Sequence, residues 1–164
     1  MKQRIQEDVK QAMRERDEIK VGALRMLLSS LLNKEKEKRY TISKDDREMA
    51  EQELNEKAAL GVEEIQDIIS SEVKKRREAI EGFEKGQRPE MAEKERKEME
   101  ILQQYLPEQL SEEQVRELVR QAVEKTGAQS AQDMGKVMAA VMPEVKGRAD
   151  GSLVANIVKD LLTL

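Results

Sequence analysis

Lys146-Gly147-Arg148-Ala149-Asp150-Gly151-Ser152-Leu153-Val154-Ala155-Asn156-Ile157-Val158-Lys159-Asp160-Leu161-Leu162 is the stretch whose reading decides the fold. Leu153, Val154, Ile157, Val158, Leu161 and Leu162 return at three- and four-residue steps, which places them on one face of an α-helix. Asp150 stands where an N-cap accepts the first unpaired amides. Upstream, Met134, Val137, Met138 and Val141 repeat the same steps. Between these two helices lies a short corner with two cations, two glycines and an aspartate. Such a corner can offer positive charge and backbone N–H groups to an anion.

The rest of the chain agrees with an all-α reading. Glu, Lys, Leu, Met, Gln, Arg and Ala are strong helix formers, and no apolar run alternates with period two. Ile5, Val9, Ala12 and Met13 mark a first short helix. Asp17 can cap a second, from Ile19 to Lys36. Its middle, Val21 to Leu32, is apolar on nearly every side, the pattern of a helix buried all round. Arg25 inside it then needs a partner or a path to solvent. Lys34 to Arg39 reads as a solvated run. Ser43-Lys44-Asp45-Asp46 resembles a capping box opening a long helix, with Gly61 as its weak point. Val62, Ile65, Ile69, Val73, Ile80 and Phe83 continue as a stripe to a terminal Gly86. Pro89 fits the first turn of a helix from Glu90 to Leu106. After Pro107, Ser111-Glu112-Glu113-Gln114 is a capping box for the first of three short helices: Glu112 to Lys125, Ala131 to Met142, and Gly151 to Leu162. Residues 1–106 are therefore expected to form an N-terminal helical domain with long helices, and residues 107–164 a small three-helix bundle.

Composition narrows the chemistry. The chain has no His, Cys or Trp, so the commonest acid–base group and all thiolate chemistry are missing. No metal-ligand spacing, phosphate-binding glycine loop or nucleophile elbow is visible, and no cofactor is expected. No apolar window approaches a membrane span, and the charged N-terminus lacks a secretory h-region. A bacterial cytoplasmic protein is expected. The net charge of −4 argues against a general polyanion binder, so nucleic-acid contact has to come from a local patch.

The motifs also carry a resemblance. Leu102-Gln103-Gln104-Tyr105-Leu106-Pro107-Glu108-Gln109-Leu110-Ser111 is similar to the hinge of the YqeY family. Asp133-Met134-Gly135-Lys136-Val137-Met138 and Pro143-Glu144-Val145-Lys146-Gly147-Arg148-Ala149-Asp150-Gly151 resemble its C-terminal signature. The stretch from Glu72 to Gly86 and the triplet Arg25-Met26-Leu27 also fit. Between Ser43 and Ile65 the chain is longer than the family pattern. The resemblance implies a C-terminal domain similar to the tail of GatB, a subunit of the tRNA-dependent amidotransferase. That tail grips tRNA away from the chemistry. A label of carbon–nitrogen ligase activity, with glutamine as amide donor, would descend from the shared tail.

Two readings of Lys136, Lys146, Gly147, Arg148 and Asp150 compete. In one they form an RNA-binding patch: cations for phosphates, glycine for close approach, and a helix N-terminus adding its dipole. In the other the corner is a solvated turn with Gly147 as a C′ residue, and Asp150 already occupies the helix end. Lys74-Lys75-Arg76-Arg77 reads as a solvated face, the methionines as core filler, and Tyr105 and Phe83 as packing residues. The resemblance favours a non-catalytic accessory protein whose partner is tRNA or another structured RNA. The alternative is an adaptor for a synthetase or amidotransferase. A self-contained amidotransferase would need an ammonia-releasing site, and neither Cys nor a Ser-Ser-Lys constellation is present.

Overall fold

The structure, a computed structural model, describes residues 1–163. Among these residues it holds eight α-helices, one 3-10 turn and no strand. The all-α class follows from the sequence as expected. The chain divides into two compact units, Met1–Tyr105 and Leu106–Leu164.

The first unit contains α1 (Lys2–Glu15), α2 (Glu18–Asp45), α3 (Glu51–Ala58), α4 (Val62–Lys85) and α5 (Pro89–Gln103). Asp17 caps α2 as predicted, accepting the Lys20 N–H at 2.9 Å. The helix then runs 28 residues, past the expected end at Lys36. Its charged stretch stays helical because the charges pair sideways: Lys34 with Glu37 at 3.0 Å, Lys38 with Glu64 at 2.8 Å, and Arg39 with Glu51 at 3.1 Å. The expected capping box at Ser43 does not form. Its hydroxyl donates back to the Tyr40 carbonyl at 3.0 Å, inside α2, and the next helix begins only at Glu51.

Burial of α2 is also one-sided, contrary to the sequence expectation. Ala23, Leu24, Leu27 and Leu31 are buried against the rest of the unit, while Met26 is 56% and Leu32 47% exposed. Arg25 lies on this open side, where its guanidinium donates to the Met13 sulfur at 3.5 Å. Met13 is itself exposed. Met13 and Met26 therefore coat a surface and do not fill the core.

Gly61 breaks the chain as predicted: its N–H is taken by the Glu64 carboxylate at 2.8 Å, and α4 starts at the next residue. Gly86 differs from its expected left-handed role. It has φ −80°, and the positive φ falls on Gln87. A Cβ at position 86 would stand 3.2 Å from the Gly82 carbonyl oxygen, so close approach is what calls for glycine there. Tyr105 packs as anticipated. It is buried, its hydroxyl donates to Asp8 at 2.5 Å, and burial together with that carboxylate pushes its phenol well above the usual range.

The basic run Lys74–Arg77 is not a uniformly solvated face. Arg76 is buried, with Nη1 3.4 Å from a Glu72 oxygen and Nη2 3.1 Å from Glu98 of α5. Glu72 also accepts from Lys75 at 2.8 Å and from Ser30 of α2 at 3.2 Å. Burial alone would raise the Glu72 pKa, but Lys75, Ser30 and Arg76 together hold it below the ordinary carboxylate value. The run thus contributes an ionic tie among α2, α4 and α5. Removing one member of a buried pair strands the others, at a cost of about 3–5 kcal/mol. Arg76→Met should lower unfolding stability by that order in urea denaturation. Arg76→Met with Glu72→Leu and Glu98→Leu should recover most of the loss. A single-variant loss below about 1 kcal/mol would mean that these carboxylates are effectively hydrated.

The second unit contains α6 (Glu112–Thr126), a 3-10 turn (Ala131–Asp133), α7 (Met134–Val145) and α8 (Gly151–Leu162). The Ser111–Gln114 capping box is present, at 3.3 and 2.8 Å. Gly127 closes α6 at φ +63°. Val115, Val119, Val137, Val141, Ile157 and Val158 form the core of the bundle. Met134 and Met138 pack at its edge, whereas Met142 is exposed. The β-branched valines, one turn apart on α7, take the centre that the methionines were expected to share.

Candidate nucleic-acid interface

The α7–α8 corner is a type II β-turn followed by a helix cap. Lys146 has φ −58° and ψ 124°, Gly147 has φ +72°, and the Arg148 N–H returns to the Val145 carbonyl at 2.9 Å. Those angles at the two central positions define the turn type, and the second requires a residue that tolerates positive φ. The Ala149 N–H bonds the same carbonyl at 3.0 Å. Asp150 then caps α8 by accepting the Ser152 N–H at 2.8 Å.

A strap from the start of the unit holds this corner from outside. The Leu110 N–H donates to the Arg148 carbonyl at 2.7 Å. The Gln109 side-chain amide donates to the Gly147 carbonyl at 2.9 Å and to the Pro107 carbonyl at 3.0 Å. Arg148 Nε donates to the Glu108 carbonyl at 3.3 Å. The segment that reads as a hinge in the sequence is thus also the clamp on the corner. Nothing in the sequence announces this contact, because Gln109 and Gly147 lie 38 residues apart.

These bonds redefine what the corner can do. The amides of Lys146, Arg148, Ala149 and Ser152 are used internally, so an anion would meet chiefly the side chains of the corner. Lys146 is exposed and Arg148 half-buried. Among the described residues Arg148 makes its hydrogen bond to a neutral carbonyl and pairs with no carboxylate. Gly147 and Asp150 shape the turn that presents these cations. Lys136 lies elsewhere. It sits in the first turn of α7, ten residues and therefore ~15 Å of helix rise from Lys146. It pairs with Asp133 at 2.9 Å, which raises its own pKa and lowers that of Asp133. Asp133 also accepts the Gln129 N–H at 3.2 Å, so the pair belongs to the loop that starts α7.

The pattern of helices and motifs matches a known family. The sequence model for Yqey-like protein matches residues 2–50 and 46–162. The chain belongs to the YqeY family. The two matched pieces overlap at residues 46–50, and α3 follows directly. "Altered inheritance of mitochondria protein 41, mitochondrial" from Eremothecium gossypii is 32% identical over 102 residues, which are 62% of this chain and 46% of that protein. This YqeY chain thus spans about half the length of the curated relative it matches. No helix among its described residues is long and apolar enough to cross a membrane.

The turn geometry gives a direct stability prediction. A Cβ at position 147 would meet only Pro107 carbons, at 3.7–3.8 Å, so space is adequate and the cost comes from φ. Gly147→Ala should destabilise the protein by about 1–2 kcal/mol, measured by chemical denaturation, and Gly147→Asn by less. Equal stabilities for all three proteins would mean that the turn relaxes to another type.

Proposed function

We propose that this YqeY protein is a non-catalytic RNA-binding accessory protein that docks on tRNA or another structured RNA through the α7–α8 corner. The single observation that carries this reading is the corner itself. Exposed Lys146 and half-buried Arg148, which pairs with no carboxylate among the described residues, stand on a turn fixed from inside by Val145 and from outside by the 107–110 strap. A fixed pair of cations loses little conformational entropy when it meets phosphates. With four of the neighbouring amides already bonded, recognition would be chiefly electrostatic and would follow backbone and shape, not base identity. Lys136, some 15 Å along α7, would add a second and weaker phosphate contact once it leaves Asp133.

The similarity of this unit to the GatB tail supports tRNA as the structured RNA. It is also the source of the amidotransferase label, which on this reading describes ancestry and not activity. The protein would act in the cytoplasm of a bacterium. The adaptor reading draws on a different observation, the exposed Met13, Met26 and Met142, which suit a plastic protein contact. A pull-down with and without RNase separates the two: partners lost on RNase treatment support RNA, and partners retained support the adaptor.

Lys146→Glu combined with Arg148→Glu should abolish the tRNA shift seen at low salt. Neutral replacement of both should lower the slope of log affinity against log salt by about two. Unchanged binding in either double variant would remove the corner as the docking site.

A further inference from the structure

Tyr40 is the most exposed large hydrophobic residue of the first unit, at 70%, and its hydroxyl has no hydrogen-bond partner among the described residues. A lone exposed tyrosine would need no explanation. Its setting is what distinguishes it. Because α2 continues to Asp45, Lys36 and Lys44 lie one turn before and one turn after Tyr40, each about 40° round the helix and ~6 Å along it. Both lysines are exposed, and neither is paired with a carboxylate among the described residues. Met26, Ser29 and Asn33 extend the same outward face, and Arg25 borders it. From Gly22 to Lys44 the carboxylate nearest that face is Glu37, and it is already paired with Lys34 at 3.0 Å. Glu35 and Asp45 lie on the opposite side of the helix, about 140° from Tyr40.

Beside this face runs a groove of about 470 Å³ between α2 and α3. Leu32, Ala58 and Ala59 give it an apolar lining; of its cations, Lys2 is paired with Glu35 at 2.6 Å and Arg39 with Glu51 at 3.1 Å, which leaves Lys36 at the rim. An aromatic flanked by two cations on a carboxylate-poor helix face, next to a groove with apolar walls, complements unpaired nucleotides: π-faces to stack and phosphates to neutralise.

We propose that the outer face of α2 is a binding site for single-stranded RNA, in which Tyr40 stacks on one base while Lys36 and Lys44 hold the phosphates on either side. This site lies on the first unit and goes beyond the corner, whose own failure or success leaves it standing. Contacts of this kind carry little sequence preference, so a short oligouridine is a suitable probe.

The chain has two tyrosines and no tryptophan, and the other tyrosine, Tyr105, is buried. Both tyrosines emit, but only Tyr40 is open to stacking by a bound base, so the part of the emission lost in Tyr40→Phe is the part that reports on the site. Oligouridine binding to the full chain at low salt should quench that emission, after correction for nucleotide absorbance. Tyr40→Phe should bind as the wild type does, while Tyr40→Ala should bind roughly five- to a hundred-fold more weakly. Lys36→Gln with Lys44→Gln should lower the salt slope by about 1.4. Lys146→Glu with Arg148→Glu should leave the quenching by oligouridine intact, which separates this site from the corner. Wild-type protein that neither binds oligouridine nor shows quenching would overturn the proposal. So would equal affinities for Tyr40→Ala and the wild type.

Discussion

A straight helix can turn only one side toward a core, and α2 makes that constraint visible over 28 residues. Ala23, Leu24, Leu27 and Leu31 lie on the inward side and pack with the other helices of the first unit. Everything opposite them is left to water, including Met26 and Leu32, which hydropathy alone assigns to the interior. The length of α2 also sets the outward arrangement. Had the helix ended at Lys36, Tyr40 and Lys44 would belong to a loop and share no face with it. Sideways ion pairs from Lys34, Lys38 and Arg39 accompany that continuity. Each is individually weak at an exposed site, yet together they favour helix over coil through a stretch with few apolar anchors.

The two units handle charge in contrasting ways. In the first, Arg76 is drawn inside and balanced by Glu72 and Glu98. Its cost of desolvation is offset by bonds to α4 and α5, and its charge is lost to any external partner. In the second, Lys146 and Arg148 stay near the surface, and the bonds that fix their backbone come from carbonyls and amides, not from carboxylates. Local arrangement, more than net charge, decides where a polyanion can dock.

The corner also shows why a short motif conserves its meaning only with its partner segment in place. Gly147 makes the turn possible through its positive φ, and Asp150 starts the next helix. The orientation of Arg148 depends in addition on Gln109 and Glu108, which belong to the strap that opens the unit. Membership of the YqeY family gives the corner a context, while its geometry engages the amides of Lys146, Arg148, Ala149 and Ser152 internally.

Several features were legible from sequence alone because they depend on residues close together in the chain. Helical class, the caps at Asp17, Ser111 and Asp150, the break at Gly61 and the start at Pro89 all follow from local hydrogen bonding and backbone angles. So does the family, which rests on motifs read in order. What the tertiary structure decided is where competing sides of a helix face. The burial of Arg76, the exposure of Met13 and Met26, the run of α2 through its charged segment and the clamp of residues 107–110 on the corner all depend on groups brought together from distant positions. Periodicity says which residues share a face. Only packing between helices says whether that face meets a core, an ion pair or water.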